Sequence, residues 1–298
     1  MRFLYSSILV LACCVQSVCA QTVIRGRVYD SLDQSGLPYA TVGIAEKHFG
    51  TLSDADGNFS LTIADTLPRT DTLTFSYLGY EVEKRCIADI DSNQEYLVGM
   101  RQQPYQLEEV TIQSGKVRHV KIGRRRIGND WFSTCFFYKD RLETGEECGV
   151  VLNSRYDCQV ERLSFFIKRN FLQHAKFRLT FYTAEKGWPK SVLGDKDFHF
   201  DLSDGYEGWV DLDLSNCGVY LKSGDFAVTI TLLEGKHSTS DSKSHLGGLE
   251  LPMSISLLSR YTVISREHAM GQWVKDKMTI PFYLETAVVK SWSGDSAK

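Results

Sequence analysis

The chain is predicted to be all-β, built from two β-sandwich domains, and three observations predict it. Apolar residues alternate with polar ones through segment after segment, the period-2 pattern of half-buried strands. Clusters of Gly, Asp, Asn and Ser recur between those segments as turns. Phe and Tyr are plentiful, 16 and 14 in 298 residues, beside many Val, Ile and Thr, the residue types that suit a pleated surface. At that length the soft expectation is two domains of roughly 150 residues each.

Residues 1–20 read as an export address rather than part of the fold. Arg2 supplies a positive start, Phe3 to Val15 an apolar run, and Val18-Cys19-Ala20 a small-residue cleavage site before Gln21. Export to the periplasm or the outer-membrane surface is the expectation. A rival arrangement makes Val10-Leu11-Ala12-Cys13 a lipobox with Cys13 acylated; cleavage after Ala20 is favoured because the apolar run continues past Cys13. No later stretch approaches the roughly 20 apolar residues of a transmembrane helix. A formal net charge of −3 makes no global case for nucleic acid or an anionic membrane.

Cleavage would remove Cys13, Cys14 and Cys19 and leave Cys86, Cys135, Cys148, Cys158 and Cys217. An odd set leaves at least one thiol free or paired between chains. Cys148 and Cys158 flank the turn-like Asn153-Ser154-Arg155, a spacing that allows a disulfide across a hairpin; a buried free thiol is the equal alternative. The spacings match no CxxC zinc motif.

The first domain is expected over 21–113. Its most informative stretch runs from Thr51 to Tyr80. Asp54-Ala55-Asp56-Gly57-Asn58 is a tight turn, with Gly supplying positive φ at no steric cost. Phe59, Leu61 and Ile63 then alternate with Ser60 and Thr62, and Leu73, Phe75 and Tyr77 repeat the pattern. The turn superficially resembles the start of an EF-hand loop, but Phe59 stands where that loop needs Gly and Asp65 where it needs Glu. Before it, Ile24, Gly26 and Val28 share one face, as do Ala40, Val42 and Ile44; after it, Glu81 to Ile90, Tyr96 to Met100 and Leu107 to Ile112 add strands. Short strands at this density suggest a small β-sandwich.

The runs IRGRVYD, LPYATVGI, GTLSDADGNFSL, LTFSYLGY and LEEVTI, in that order, resemble the carboxypeptidase-regulatory-like domain common in exported Bacteroidetes proteins. The resemblance covers Thr22 to Gln113. It implies a transthyretin-like sandwich, an accessory module without a peptidase site of its own that often precedes the plug of an outer-membrane transporter. About 185 residues follow, too few for a plug and a barrel of roughly 22 strands.

Residues 114–127 carry Lys116, Arg118, Lys121, Arg124, Arg125 and Arg126 and read as a basic linker. A solvated connector is the bland account, and contact with anionic headgroups or an acidic polymer the functional one. From 128 to 290 alternation returns: Leu163, Phe165 and Ile167 share a face, then Phe177, Leu179 and Phe181, then Val210, Leu212 and Leu214, then Phe226, Val228, Ile230 and Leu232. Gly187-Trp188-Pro189, Ser203-Asp204-Gly205 and Ser223-Gly224-Asp225 are turns, Glu234 to Leu249 is a polar, mobile loop, and 291–298 is a tail. The long intervals suggest a jelly-roll-like sandwich of at least eight strands. FRLTFYTAEKGWPKSVL, GWVDLDL and GDFAVTITL loosely resemble jelly-roll modules of exported Bacteroidetes proteins.

One constellation carries a ligand expectation. If Val210, Leu212 and Leu214 face the core, then Trp209, Asp211 and Asp213 face outward. An exposed Trp beside carboxylates suits a sugar, whose CH face stacks on the ring while its hydroxyls meet the acids. Trp188 and Tyr206, in turns, are placed to join it. The competing account has a loop covering that face, with Trp209 as ordinary packing. Asp211 and Asp213 as paired catalytic acids would sit ~6.6 Å apart on one strand and lack an evident proton donor. The seven His are scattered, with no HExxH pair and no GxSxG serine, so neither a metal, a cofactor nor catalysis is expected. The sequence therefore points to a non-enzymatic cell-envelope binding protein with glycan as its ligand. The alternatives are a scaffold that docks on an outer-membrane protein by strand addition and, less favoured, a glycoside hydrolase.

Overall fold

In a computed structural model of the protein, the described residues are 21–64, 67–91, 94–103, 117–127, 132–137, 145–237, 247–255 and 261–288. The expected leader with its Cys13, the Leu107–Ile112 strand, residues 238–246 of the expected loop and the tail at 291–298 lie outside them.

Alternation in the first third becomes seven strands: β1 (Gln21–Asp30), β2 (Thr41–Ile44), β3 (Phe49–Leu52), β4 (Asn58–Ala64), β5 (Thr72–Ser76), β6 (Glu83–Cys86) and β7 (Tyr96–Met100). They form two sheets, ordered β4-β1-β7 and β3-β2-β5-β6. Between them lie Ile24, Val28, Val42, Ile44, Phe59, Leu61, Leu73 and Phe75, all buried. The Asp54–Asn58 turn forms as the sequence implies, but it carries the chain from one sheet to the other instead of closing a hairpin. The Asp54 carboxylate accepts the backbone N–H groups of Asp56 and Asn58 at 2.9 and 2.8 Å. Gly57 has φ +86° and lies so close to β1 that a Cβ would stand 2.4 Å from the Val28 carbonyl oxygen.

Sixteen further strands follow among the described residues: β8 (Arg118–Arg124), β9 (Ser133–Phe136), β10 (Glu147–Ser154), β11 (Cys158–Ile167), β12 (Arg169–Asn170), β13 (Leu172–Glu185), β14 (Trp188–Leu202), β15 (Gly208–Asp213), β16 (Tyr220–Leu221), β17 (Gly224–His237), β18 (Leu249–Pro252), β19 (Ser254–Ile255), β20 (Thr262–Arg266), β21 (Val274–Asp276), β22 (Met278–Thr279) and β23 (Phe282–Val288). A six-stranded sheet, β14-β13-β17-β10-β20-β21, faces a five-stranded one, β15-β11-β23-β8 with β16 also on β11. Consecutive strands such as β10 and β11, or β14 and β15, change sheets, as in a jelly roll. Aromatic rings tie the sheets together: Phe165 stacks on Phe282 with centroids 5.7 Å apart and meets Phe200 edge-on, while Phe177 stacks on Phe200 at 5.5 Å. The chain is all-β, with two sandwiches.

Three sequence expectations need correcting. The basic segment is not simply a connector: Arg118–Arg124 is the edge strand β8, hydrogen-bonded along β23 from Arg118↔Val288 to Arg124↔Phe282. Val120 and Ile122 supply its inward face, an alternation hidden by the surrounding cations. Glu234–His237, read as loop, continues β17. Cys148 and Cys158 form no disulfide; both are buried free thiols. The turn between them joins different sheets, so β10 runs away from Cys158. The Ser154 hydroxyl lies 3.6 Å from the Cys158 sulfur, which leaves Cys148 roughly 20 Å distant, six strand residues along.

The two sandwiches meet on the outer face of the six-stranded sheet. Tyr39, Leu52, Leu233 and Ala269 make a small buried apolar cluster across the joint. Gly50 is required there, since a Cβ would lie 2.6 Å from the Ala269 carbonyl oxygen. Tyr39, in the left-handed region at φ +57°, donates its hydroxyl to Glu234, and its carbonyl accepts both terminal nitrogens of Arg178 at 3.2 Å. Arg178 also grips Asp197 through two bonds of 2.6 and 2.8 Å, and His199 adds a third contact at 3.0 Å. Burial acts to raise the Asp197 pKa, but the bonds from His199 and Arg178 outweigh it and hold the carboxyl below its ordinary value of 3.8. A carboxylate depressed in this way contributes stability above its unfolded value of about 3.9, and that contribution is lost as pH falls through the lower folded value. Asp197→Asn should therefore lower the urea midpoint at pH 7 and narrow the gap between variant and parent on acidification below about pH 4.

Candidate functional site

The site follows from register on the outer face of the five-stranded sheet. Trp209, Asp211 and Asp213 on β15 stand opposite Phe166, Ser164 and Arg162 on β11. On the other side of β11, Ser164 is paired with Tyr283 and Arg162 with Glu285, and β23 in turn sets these opposite Gly123 and Lys121 of β8. Residues that share a face of one strand thus meet their counterparts from three others.

An aromatic cluster occupies one end of this face. The Trp209 ring is met edge-on by Phe166 and by Tyr283, each with centroids 5.5 Å away. The Tyr206 hydroxyl donates to the Trp209 carbonyl and pins the approach loop to the strand. Two cations lie over the Tyr283 ring, the Lys121 ammonium at 5.5 Å and the Arg125 guanidinium at 5.8 Å. Lys121 also pairs with Glu285 at 2.6 Å. Asp211 accepts the Ser164 hydroxyl. Asp213 accepts the Ser215 hydroxyl at 2.7 Å and the Ser215 backbone N–H at 3.0 Å, and these bonds hold its carboxyl below the ordinary carboxylate range.

The structure thus brings Tyr206, Trp209, Asp211 and Asp213 together. Trp209 is half-buried, not exposed as alternation alone suggested, because Phe166 and Tyr283 flank its ring. Trp188 is not at this site. It opens β14 opposite Glu185 in the six-stranded sheet, where Lys186 and Gly187, with φ of +51° and +75°, make the turn. The residue is 39% exposed, and its ring carries the Lys275 ammonium at 3.7 Å. Sequence reasoning missed Phe166 and Tyr283, and it named Lys121 and Arg125 as cations of a basic linker without placing them on this face. Phe166 and Tyr283 carried a signal, for each falls on the outward phase of an otherwise buried run.

The outer face of the six-stranded sheet holds a different constellation. Glu147 accepts hydrogen bonds from Tyr182 at 2.9 Å, from the Thr229 hydroxyl and from Arg266, whose guanidinium lies 4.5 Å from the Trp273 ring centroid. Burial and the Glu147 charge push the Tyr182 phenol up. Every polar group in this set is partnered within the set, which marks it as structural.

Fold and faces define an all-β protein of two sandwiches, with a candidate surface on the second. Residues 24–112 match the CarboxypepD_reg-like domain family, so the first sandwich is a domain of that kind. No curated protein matches the chain. Among solved structures it is similar to the cysteine protease and lectin-like domains of Cwp84, a surface layer associated protein of Clostridium difficile, at 10% identity, with a TM-score of 0.34, over 54% of this chain and 37% of that one. A substituted form of the clostridial cysteine protease Cwp84, after propeptide cleavage, overlaps 90% of this chain and 71% of its own at 8% identity and a TM-score of 0.36. Overlap at these scores carries no argument about function. Among the described residues no helix is long and apolar enough to cross a membrane.

Proposed function

We propose that the protein is an exported, non-catalytic binding protein of the cell envelope that holds glycan on the outer face of the second sandwich. The observation that carries this reading is the cluster of Trp209, Phe166 and Tyr283 beside the hydrogen-bonding carboxylates of Asp211 and Asp213 on one sheet face. Aromatic rings offer CH-stacking surfaces, and fixed acceptors orient hydroxyls. Both carboxylates accept from a neighbouring serine, an arrangement suited to holding a ligand and not to exchanging protons with it.

The test is binding of the chain from Gln21 to a polysaccharide panel, beside Trp209→Ala and Trp188→Ala variants. The tested chain must include Arg118–Arg124, because β8 forms one edge of the face. Trp209→Ala should weaken binding at least about tenfold, equivalent to roughly 1.4 kcal/mol, and Trp188→Ala should leave it unchanged. Binding by the parent that survives Trp209→Ala would overturn the site, and no binding to any glycan would overturn the reading. Sugar release abolished by Asp211→Asn would overturn its non-catalytic part.

A further inference from the structure

We propose that the glycan is an acidic one, with its charged units received on the β8 side of the face and its neutral rings on the Trp209 side; this rests on the glycan reading above. A neutral polymer accounts for Trp209 but not for two exposed arginines beside it, whereas Lys121 is already paired with Glu285 and Arg124 with Ser254. Arg125 is exposed, lies against the Tyr283 ring and makes no ion pair among the described residues. Arg126, also exposed, follows it at the end of β8.

Charge is distributed unevenly across the strands. Asp211 and Asp213 sit on β15, and Arg125 and Arg126 follow the end of β8 at the opposite rim; between them the charges cancel, with Arg162 of β11 lying 4.0 Å from Glu285 of β23, which also pairs with Lys121. Three strand spacings separate those rims, roughly 14 Å. A chain lying across the strands would meet Trp209 and then the arginines, with Tyr283 buried beneath Lys121 and Arg125 as the floor between them. The carboxylates of β15 would repel an acidic unit there and accept hydroxyls from a neutral one, while the arginines form charge-assisted bonds to carboxylate or sulfate. Alternating acidic and neutral units fit this gradient better than an unbroken polyanion.

Hyaluronate oligosaccharides, which alternate a uronate with a neutral N-acetylated sugar, are the probe, with neutral cello-oligosaccharides of equal length as the comparison. Binding to the chain from Gln21 is measured by calorimetry at about 20 and 200 mM salt, on either side of the ionic strength at which the Debye length is ~10 Å. The proposal expects hyaluronate to bind at least tenfold more tightly than the neutral probe and to weaken with salt. An Arg125→Ala/Arg126→Ala double variant, altered only at exposed positions, should lose that preference. Equal binding of both probes, or hyaluronate binding unchanged in the double variant, overturns the acidic assignment and leaves the glycan reading standing. Binding of neither overturns the acidic assignment, and the polysaccharide panel then decides the glycan reading.

Discussion

Glu147→Ala should cost about 3–5 kcal/mol of unfolding free energy, among the largest losses from any single substitution in the second sandwich. Glu147 is 1% exposed, and β10 sets it opposite Arg266 and Thr231. Its carboxylate is the shared acceptor for Arg266, Tyr182 and Thr229. Truncation leaves the Arg266 guanidinium, whose side chain is 19% exposed, held against Trp273 with no counter-charge, and deprives the Tyr182 hydroxyl of its acceptor. An uncompensated buried charge costs more than the intact pair contributes. Replacing both ends together, as Glu147→Met with Arg266→Met, should therefore recover much of the loss. Urea titrations of the parent, the single and the double variant measure it; a single-variant loss below about 1 kcal/mol would refute the argument.

Phe165→Ala should cost a similar amount, about 3–5 kcal/mol, through lost burial and the cavity left behind. Phe165 is fully buried, stacked on Phe282 and edge-on to Phe200, so its ring joins β11 to both sheets. Its neighbour Phe166 points the opposite way, half-exposed against Trp209. Phe166→Ala should then cost no more than about 1.5 kcal/mol of stability while weakening glycan binding. Two adjacent phenylalanines with separable effects, one read in urea and the other by calorimetry, test the assignment of faces directly.

Much of the fold was legible because period-2 alternation survives wherever one face is buried and the other wet. Ile24 and Val28, then Phe59, Leu61 and Ile63, and then Leu163, Phe165 and Ile167 all point inward as their spacing requires. Legibility failed where that contrast was hidden. Val120 and Ile122 of β8 lie among cations, and the short β3 is interrupted by Gly50, where the second sandwich approaches its backbone. Outward-facing residues were harder still. Local alternation puts Trp209 on the outer face, but nothing local says that β23 and β8 arrive to set Tyr283, Lys121 and Arg125 beside it. For the same reason Trp188, a turn-associated aromatic in the sequence, was grouped with Trp209 although it belongs to the other sheet. The joint built on Tyr39, Arg178 and Asp197 has no short-range signature; its parts come from different sandwiches and meet only after both have formed.

The central claim is that ligand lies on the outer face of the five-stranded sheet. Amide hydrogen exchange of the chain from Gln21, with and without saturating oligosaccharide, tests it most directly. The account predicts added protection in β15, β11, β23 and β8, strongest around Trp209 and Tyr283, with the first sandwich and the Trp188 hairpin unchanged. Protection confined to the first sandwich or to the Trp188 hairpin, with Trp209 and Tyr283 exchanging as before, would contradict it.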